Sequence, residues 1–449
     1  MNLDDLAWQR QFDGGIDVRM AEHFAGHGQL ELLIKTAVDR GEWFCAEVAV
    51  RELCAVGEFE RALTVLEPFV AVGWPFAVRK SAEITIRQGR IEEGLALVRP
   101  DAAAGLESAF ECRWFAEALV LAGRVDEAID VLTPHLGEPW ILESLVDLTD
   151  GGNRDARVLE LLAPCDEQAR GGTADCRCSA AGGRRGCRHQ PSEVLVLYTR
   201  VLERMGRADE AIRMLGPVVP VIPQVAWLYA ELLAGQGRIE QLRKLATGEH
   251  AQLARTQCAA VLEEQGRVRE AEAVLHEALE ADGRHARRRL MAFLARRGRL
   301  DEAVDVGRPT YEHDEGNLLH EVIELLIGAS RPERALELLD GLDTAYIDAH
   351  SDVLSHTRLR LLGKAGRYAE GIAQARALSE REPGQWDTTV AWLLDLDGRT
   401  DEALDLLRSS TEYGAYRAVA EILSRHGRYA EAVAAIPTVS AQREAWDRR

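Results

Sequence analysis

Lysine is nearly missing from this chain: Lys35, Lys80, Lys244 and Lys364 stand among 54 cationic residues, and arginine supplies the rest. Cationic contacts are therefore forked, planar guanidinium contacts, and the bias points to a GC-rich bacterial genome. Positive charge is scarce overall. Against 74 acids the formal net charge is −20, which repels phosphates and argues against nucleic acid or an anionic membrane as partner. No long apolar run exists; the nearest, residues 218–234, is broken by Pro220, Pro223 and Glu231, so no membrane span is expected. The first residues carry early acids and no apolar stretch, unlike a secretory signal. The expected setting is the cytoplasm, with the eight cysteines reduced unless metal-bound.

Catalytic signatures are missing as well. Gly363-Lys364-Ala365 lacks both the earlier glycine and the hydroxyl of a phosphate loop, and His320-Glu321 is followed by Ile323 and Glu324 rather than by a second histidine. There is no Gly-x-Ser-x-Gly elbow. The sequence reads as non-enzymatic.

What the chain does have is a recurring frame, Gly-Arg-x-x-(Glu)-Ala. It stands at Gly89, Gly123, Gly206, Gly237, Gly266, Gly298, Gly366, Gly398 and Gly427, with degenerate copies at Gly28, Gly57, Gly152 and Ser330. A spacing of about thirty residues marks a stacked repeat array. In the unit 111–134, Phe115, Ala118, Leu119 and Ala122 make one apolar helical face. Gly123 suits the left-handed end of that helix. Asp126 and Glu127 then favour the positive end of a second helix, Ala128 allows close approach, and Pro134 ends it. Each unit is an αα-hairpin that can bury its apolar face only by stacking on its neighbours.

These units resemble the tetratricopeptide repeat family, as a divergent, short-repeat version, over roughly residues 15–437. The resemblance implies an all-α, right-handed α-solenoid of stacked helix-turn-helix hairpins. The expected organisation is a capping helix at 1–14, repeats over 15–164, an insertion at 165–191, repeats over 192–437, and a cap or tail at 438–449. Leu3, Leu6, Trp8 and Phe12 fit an amphipathic cap, and Ser440 is the expected N-cap of a last helix running to Trp446.

In that family the residues ten and six before the turn glycine face a concave groove. Those offsets fall on Arg79 and Glu83, Arg113 and Glu117, Trp227 and Glu231, His320 and Glu324, His356 and Arg360, and Arg417 and Glu421. They also give Glu47 with Arg51, Arg288 with Ala292, and Thr388 with Trp392. As a groove, this mixed-charge stripe suits a protein or peptide segment, with Trp227 and Trp392 as anchors. As a solvated face, it is a set of same-helix ion pairs contributing about 0.2–0.5 kcal/mol each. A basic run, Arg287, Arg288, Arg289, Arg296 and Arg297, offers either a seat for an acidic segment or an ordinary wet helix face.

The long interval after Gly152 holds residues 164–191, rich in glycine and arginine and without helical periodicity, which reads as a surface loop. It carries Cys165, Cys176, Cys178 and Cys187 with His189. Three readings stand: a loop that carries thiols, a structural zinc site, or a thiol switch whose pKa values nearby arginines lower. Cys45, Cys54, Cys112 and Cys258 fall within helical patterns as core or partly buried residues. The expected function is a protein-binding adaptor, scaffold or regulator without a cofactor unless the cysteines hold zinc. A ligand- or peptide-binding sensor is the alternative, with an RNA binder or an enzyme behind it.

Overall fold

The computed structural model describes residues 1–100, 109–171, 190–220, 222–247, 250–281, 283–309, 318–382, 384–412 and 414–448. Among the described residues every regular element is helical. They fall into two compact units, one formed by 1–88 with 323–448 and the other by 89–309 with 318–322.

Helix α1 (Leu3–Phe12) leads into the hairpin of α2 (Val18–Gly26) and α3 (Leu30–Arg40), then α4 (Trp43–Ala55) and α5 (Phe59–Ala71), and α6 (Pro75–Arg87). The second unit begins with α7 (Ile91–Val98) and pairs α8 (Ala109–Leu121) with α9 (Val125–Leu132) and α10 (Pro139–Leu148) with α11 (Asp155–Gly171). It continues with α12 (Pro191–Arg204) and α13 (Ala208–Leu215), α14 (Ala226–Gly235) and α15 (Ile239–Leu245), and α16 (Ala251–Glu264) and α17 (Val268–Ala281). Then come α18 (Gly283–Arg296), α19 (Leu300–Gly307) and α20 (Leu318–Gly328). The first unit resumes within α20, at residue 323, and continues with α21 (Pro332–Asp340), a short α22 (Thr344–Ala349), α23 (Ser351–Lys364) and α24 (Tyr368–Arg381). It ends with α25 (Asp387–Leu396) and α26 (Thr400–Ser409), α27 (Ala415–Arg425) and α28 (Tyr429–Ala435), and α29 (Val439–Asp447).

One turn explains the repeated frame. Gly123 sits at φ 76°, and the Arg124 amide donates to the Leu119 carbonyl at 2.8 Å, closing the first helix with a Schellman turn. The Arg124 carbonyl then accepts the Ala128 amide at 3.1 Å, opening the second helix. The same closure joins Arg207 to Leu202, Arg267 to Leu262, Arg367 to Leu362 and Arg428 to Leu423. The arginine side chain clasps the glutamate three residues on, as in Arg124–Glu127, Arg207–Glu210, Arg299–Glu302 and Arg399–Glu402. In several copies it also reaches an acid of the preceding copy: Arg124 to Glu92, Arg154 to Asp126, and Arg367 to Glu333. The Asp-Glu of the frame thus has two partners, its own arginine and the next one. These pairs are exposed, so they set register more than stability. Stability comes from side chains such as Trp43, Phe69, Leu119 and Phe293, each at most 2% exposed, at about 1.5–3 kcal/mol per buried side chain.

Four expectations shift. The degenerate turn expected at Gly152 lies one residue later, because Asn153 is left-handed at φ 53° and Arg154 takes the arginine's role. Residues 164–171, expected in the loop, are helical, since α11 runs through Pro164 to Gly171; Glu167, Gln168, Ala169 and Arg170 are good helix formers and offset one lost backbone bond. Finally, Thr438 rather than Ser440 caps α29, accepting the Ala441 amide at 3.3 Å. Ser440 is free of that role because it donates to Asp5 at 2.6 Å. The two terminal helices expected as separate end caps pack on each other.

Candidate functional site

Every stripe residue is half-buried or exposed, none fully buried. The position six before the turn is shared between neighbouring first helices: Arg51 of α4 pairs with Glu22 of α2 at 3.0 Å, and Arg360 of α23 with Glu324 of α20 at 2.6 Å. In these two places the offset positions of adjacent hairpins lie side by side. Arg113 and Glu117 pair within α8 at 3.2 Å. Glu83 lies between Lys80 at 2.8 Å and Arg87 at 2.7 Å. Arg417 donates to the Asp13 carbonyl at 2.6 Å. His320, Glu231 and Glu421 are exposed or half-buried, and His356 stacks on Trp386 with centroids 4.1 Å apart. The two expected anchors differ: Trp227 is 43% exposed, whereas the Trp392 ring lies against Gly363 of α23, leaving no room there for a Cβ.

Beside Arg79 and Glu83 opens a cleft of about 430 Å³. Trp43, Val48, Leu66 and Phe76 make its apolar lining, and Glu47 and Arg51 add charge. Around it, Trp43 packs edge-on against Phe69 and Trp74, at 5.5 and 6.1 Å. A larger cleft of about 560 Å³, lined by Leu407, Tyr416, Val419 and Leu423 among others, holds none of the stripe residues. In the second unit, Glu231 faces Glu203, whose carboxyl is held above its ordinary value by burial and then by that like charge.

Sequence reasoning missed an aromatic pair. Phe110 of α8, 58% exposed, stacks on Trp140 of α10 with centroids 4.5 Å apart. The signal was available: Phe76 and Phe110 both stand thirteen residues before their turn glycines, Gly89 and Gly123.

The basic run is largely neutralised. Arg288 pairs with Glu321 at 2.8 Å, and Arg296 and Arg297 both pair with Glu263 at 2.7 and 3.3 Å, which pulls the Glu263 carboxyl below its ordinary range through the Arg296 hydrogen bond first. Cys176, Cys178, Cys187 and His189 lie outside the described residues, as does the side chain of Cys165. Cys45, Cys112 and Cys258 are buried and Cys54 half-buried, all as free thiols. Thr400 Oγ1 and Asp395 Oδ1 approach the same His426 nitrogen at 3.2 and 2.7 Å. A hydroxyl–imidazole–carboxylate relay needs both ring nitrogens, so this trio fastens α25 to α27.

No protein-family profile matches the chain, and no curated protein sequence does. Among solved structures, the chain is similar to one of Naa15/Naa10 bound to HypK-THB, at 15% identity over 91% of this chain and 68% of that one, with a TM-score of 0.37. It is also similar to the pentatricopeptide repeat protein PPR10 from maize, at 16% identity over 92% and 71%, TM-score 0.28. A third is YrrB, described as a TPR protein with an unusual peptide-binding site, at 16% identity over 42% and 95%, TM-score 0.25. By its own helix pairing and turn chemistry the chain is a helical-repeat protein of tetratricopeptide-like hairpins. No described helix is long and apolar enough to cross a membrane.

Proposed function

We propose that this protein is a non-enzymatic interaction module that holds a protein or peptide segment against the first helices of its hairpins. The observation that carries the reading is the 430 Å³ cleft at Arg79 and Glu83, where an apolar lining and a mixed-charge rim meet on the stripe picked out by the repeat. An apolar lining supplies burial energy, and fixed charges supply register and selectivity. In the second unit, Trp227 beside Glu231, with Glu203 opposed to it, favours a cationic side chain of the partner, by charge and by cation–π attraction. Adaptor, scaffold or regulator are the roles such a module fills, in a cytoplasmic setting.

The test is a displayed peptide library selected on the full chain, with the selected peptides measured by fluorescence anisotropy. Charge reversal by Arg79→Glu with Glu83→Arg, and separately Trp227→Ala, should each weaken binding about tenfold, the size of one lost anchor contact. Circular dichroism checks that the variants stay helical. Peptides that bind wild type and both variants equally would remove the stripe from the binding surface.

A further inference from the structure

Within the first unit the last hairpin is followed, in space, by the first. Tyr429 of α28 packs edge-on to Phe24 of α2 at 5.4 Å and lies 5.9 Å from His27. Arg40, at the end of α3, donates to the Val433 and Ile436 carbonyls at 2.5 and 2.7 Å. The hairpin α2–α3 therefore succeeds α27–α28 as the next repeat would, without a peptide bond between them. On one side of this seam lie α1 and α29. Asp5, 5% exposed, accepts from Ser440 at 2.6 Å and pairs with Arg443 at 2.9 Å, and Phe12 packs on Trp446 at 5.4 Å.

Buried polar contacts hold α1 to the start of α4, and Gln442 of α29 reaches across to the segment after α1. Gln9, 0% exposed, donates to Glu42 at 2.8 Å and accepts the Trp43 amide at 2.8 Å. Glu42 also accepts the Ile16 amide at 3.2 Å and meets Arg40 at 3.2 Å. Gln442 accepts from the Gly15 amide and from the Tyr416 hydroxyl, both at 3.2 Å. Groups of this kind are satisfied by water once apart, so parting them costs less than parting an apolar seam of the same extent. Chain connectivity does not oppose the parting either, since no linker spans the seam. The closed joint also engages the cleft and the stripe: the Arg10 guanidinium lies 3.7 Å over the Phe76 ring, which lines the cleft, and the Asp13 carbonyl accepts from Arg417 of the stripe.

We propose that α1 and α29 form a releasable, autoinhibitory clasp: they hold the first and last hairpins together and engage Phe76 and Arg417, which a bound segment uses once the clasp opens. The inhibitory role rests on the groove reading above; the releasable joint does not. Hydrogen exchange of the full chain separates the two. Arg443→Ala leaves a buried Asp5 without its cation, and exchange across residues 3–12 and 439–447 should rise on the order of 30-fold, with residues 351–381 unchanged. Asp5→Cys with Ser440→Cys, whose parent side chains touch, should form a disulfide on oxidation that slows exchange in both helices, and reduction should reverse it. A rise spread evenly over the whole chain, no rise in Arg443→Ala, or no slowing by the disulfide would each overturn the joint. With selected peptides, Arg443→Ala should bind tighter and the oxidised pair weaker, each by about tenfold. Equal affinities would overturn inhibition while leaving the groove reading intact, and no binding to any form would overturn both inhibition and the groove reading.

Discussion

Gly363→Ala sets two effects of known size against each other. Gly363 is the next-to-last residue of α23, outside the left-handed region. Alanine there carries no backbone strain and gains up to about 1 kcal/mol in helix propensity. Its Cβ, however, would stand 2.4 Å from Trp392 Cη2, 2.8 Å from Cζ3 and 3.3 Å from a Leu393 methyl. Overpacking of this kind costs about 1–3 kcal/mol, and because Trp392 is only half-buried, the ring can swing outward and keep the cost in the middle of that range. The net expectation is a loss of about 1 kcal/mol. Gly328→Ala, at the end of α20 with nothing within 4 Å of its Cβ, should instead gain up to about 1 kcal/mol. Urea melts followed by circular dichroism give the comparison, with exchange of α23 amides measured alongside because repeat arrays can unfold in segments. In a Trp392→Leu background the Gly363→Ala loss should become a gain. If Gly363→Ala stabilises the wild-type background as much as Gly328→Ala does, Trp392 is not seated on α23 and becomes available to a partner after all.

Two further expectations concern charge. Burial raises the Glu42 carboxyl above its ordinary value of 4.5, against the lowering pull of Arg40 and the Ile16 and Gln9 hydrogen bonds; its contribution to stability is therefore full below that value and is lost as pH rises through the raised one. Glu42→Gln should accordingly gain on wild type as pH rises from about 4.5 towards neutral, and a gap that stays flat across a pH series of melts would contradict this. The turn pairs carry the opposite sign: Arg299 holds the Glu302 carboxyl below its ordinary value, so that contribution is present above the ordinary carboxylate pKa and is lost as pH falls through the lowered value. Arg299→Ala should lower the melting temperature slightly at low salt, and the difference should shrink near 1 M salt as screening shortens to about 3 Å; a difference indifferent to salt would mean that the arginine acts through packing of its stem.

The hairpins were legible because they are local. A helix end needs Gly123, an apolar face needs Leu119 three to four residues from its neighbours, and both requirements are written within one unit of sequence. The frame's acids were only half legible. Their effect on the helix end can be read from one copy, whereas the bond from Asp126 to Arg154 appears only when two copies are stacked. The same limit moved the degenerate turn by one residue: a glycine is the default left-handed residue, yet Asn153 adopts that region too, and its arginine neighbour decides the register. Residues 164–171 joined the loop reading by their composition, yet one lost backbone bond at Pro164 does not end a helix when the residues after it favour helix.

The candidate site divides along the same line. Offsets from the turn name which side of a helix a residue occupies, and in two places that side meets its counterpart on the neighbouring first helix, Arg51 with Glu22 and Arg360 with Glu324. Offsets say nothing about what the next helix brings up against that side. Trp227 and Trp392 occupy different offsets in their hairpins, and only the second meets a glycine on a neighbouring helix that lets its ring lie flat. The terminal helices make the point more sharply. Residues 3–12 and 439–447 each look like a lid for an open end, and each has an apolar side that asks for cover. Neither segment says that the other is that cover, because Asp5, Ser440 and Arg443 become one cluster only across more than four hundred residues of chain. Where the first and last hairpins meet, neither terminal face is left open to be capped, so the two lids take on a different role. They hold, and on release free, the surface that the repeats build.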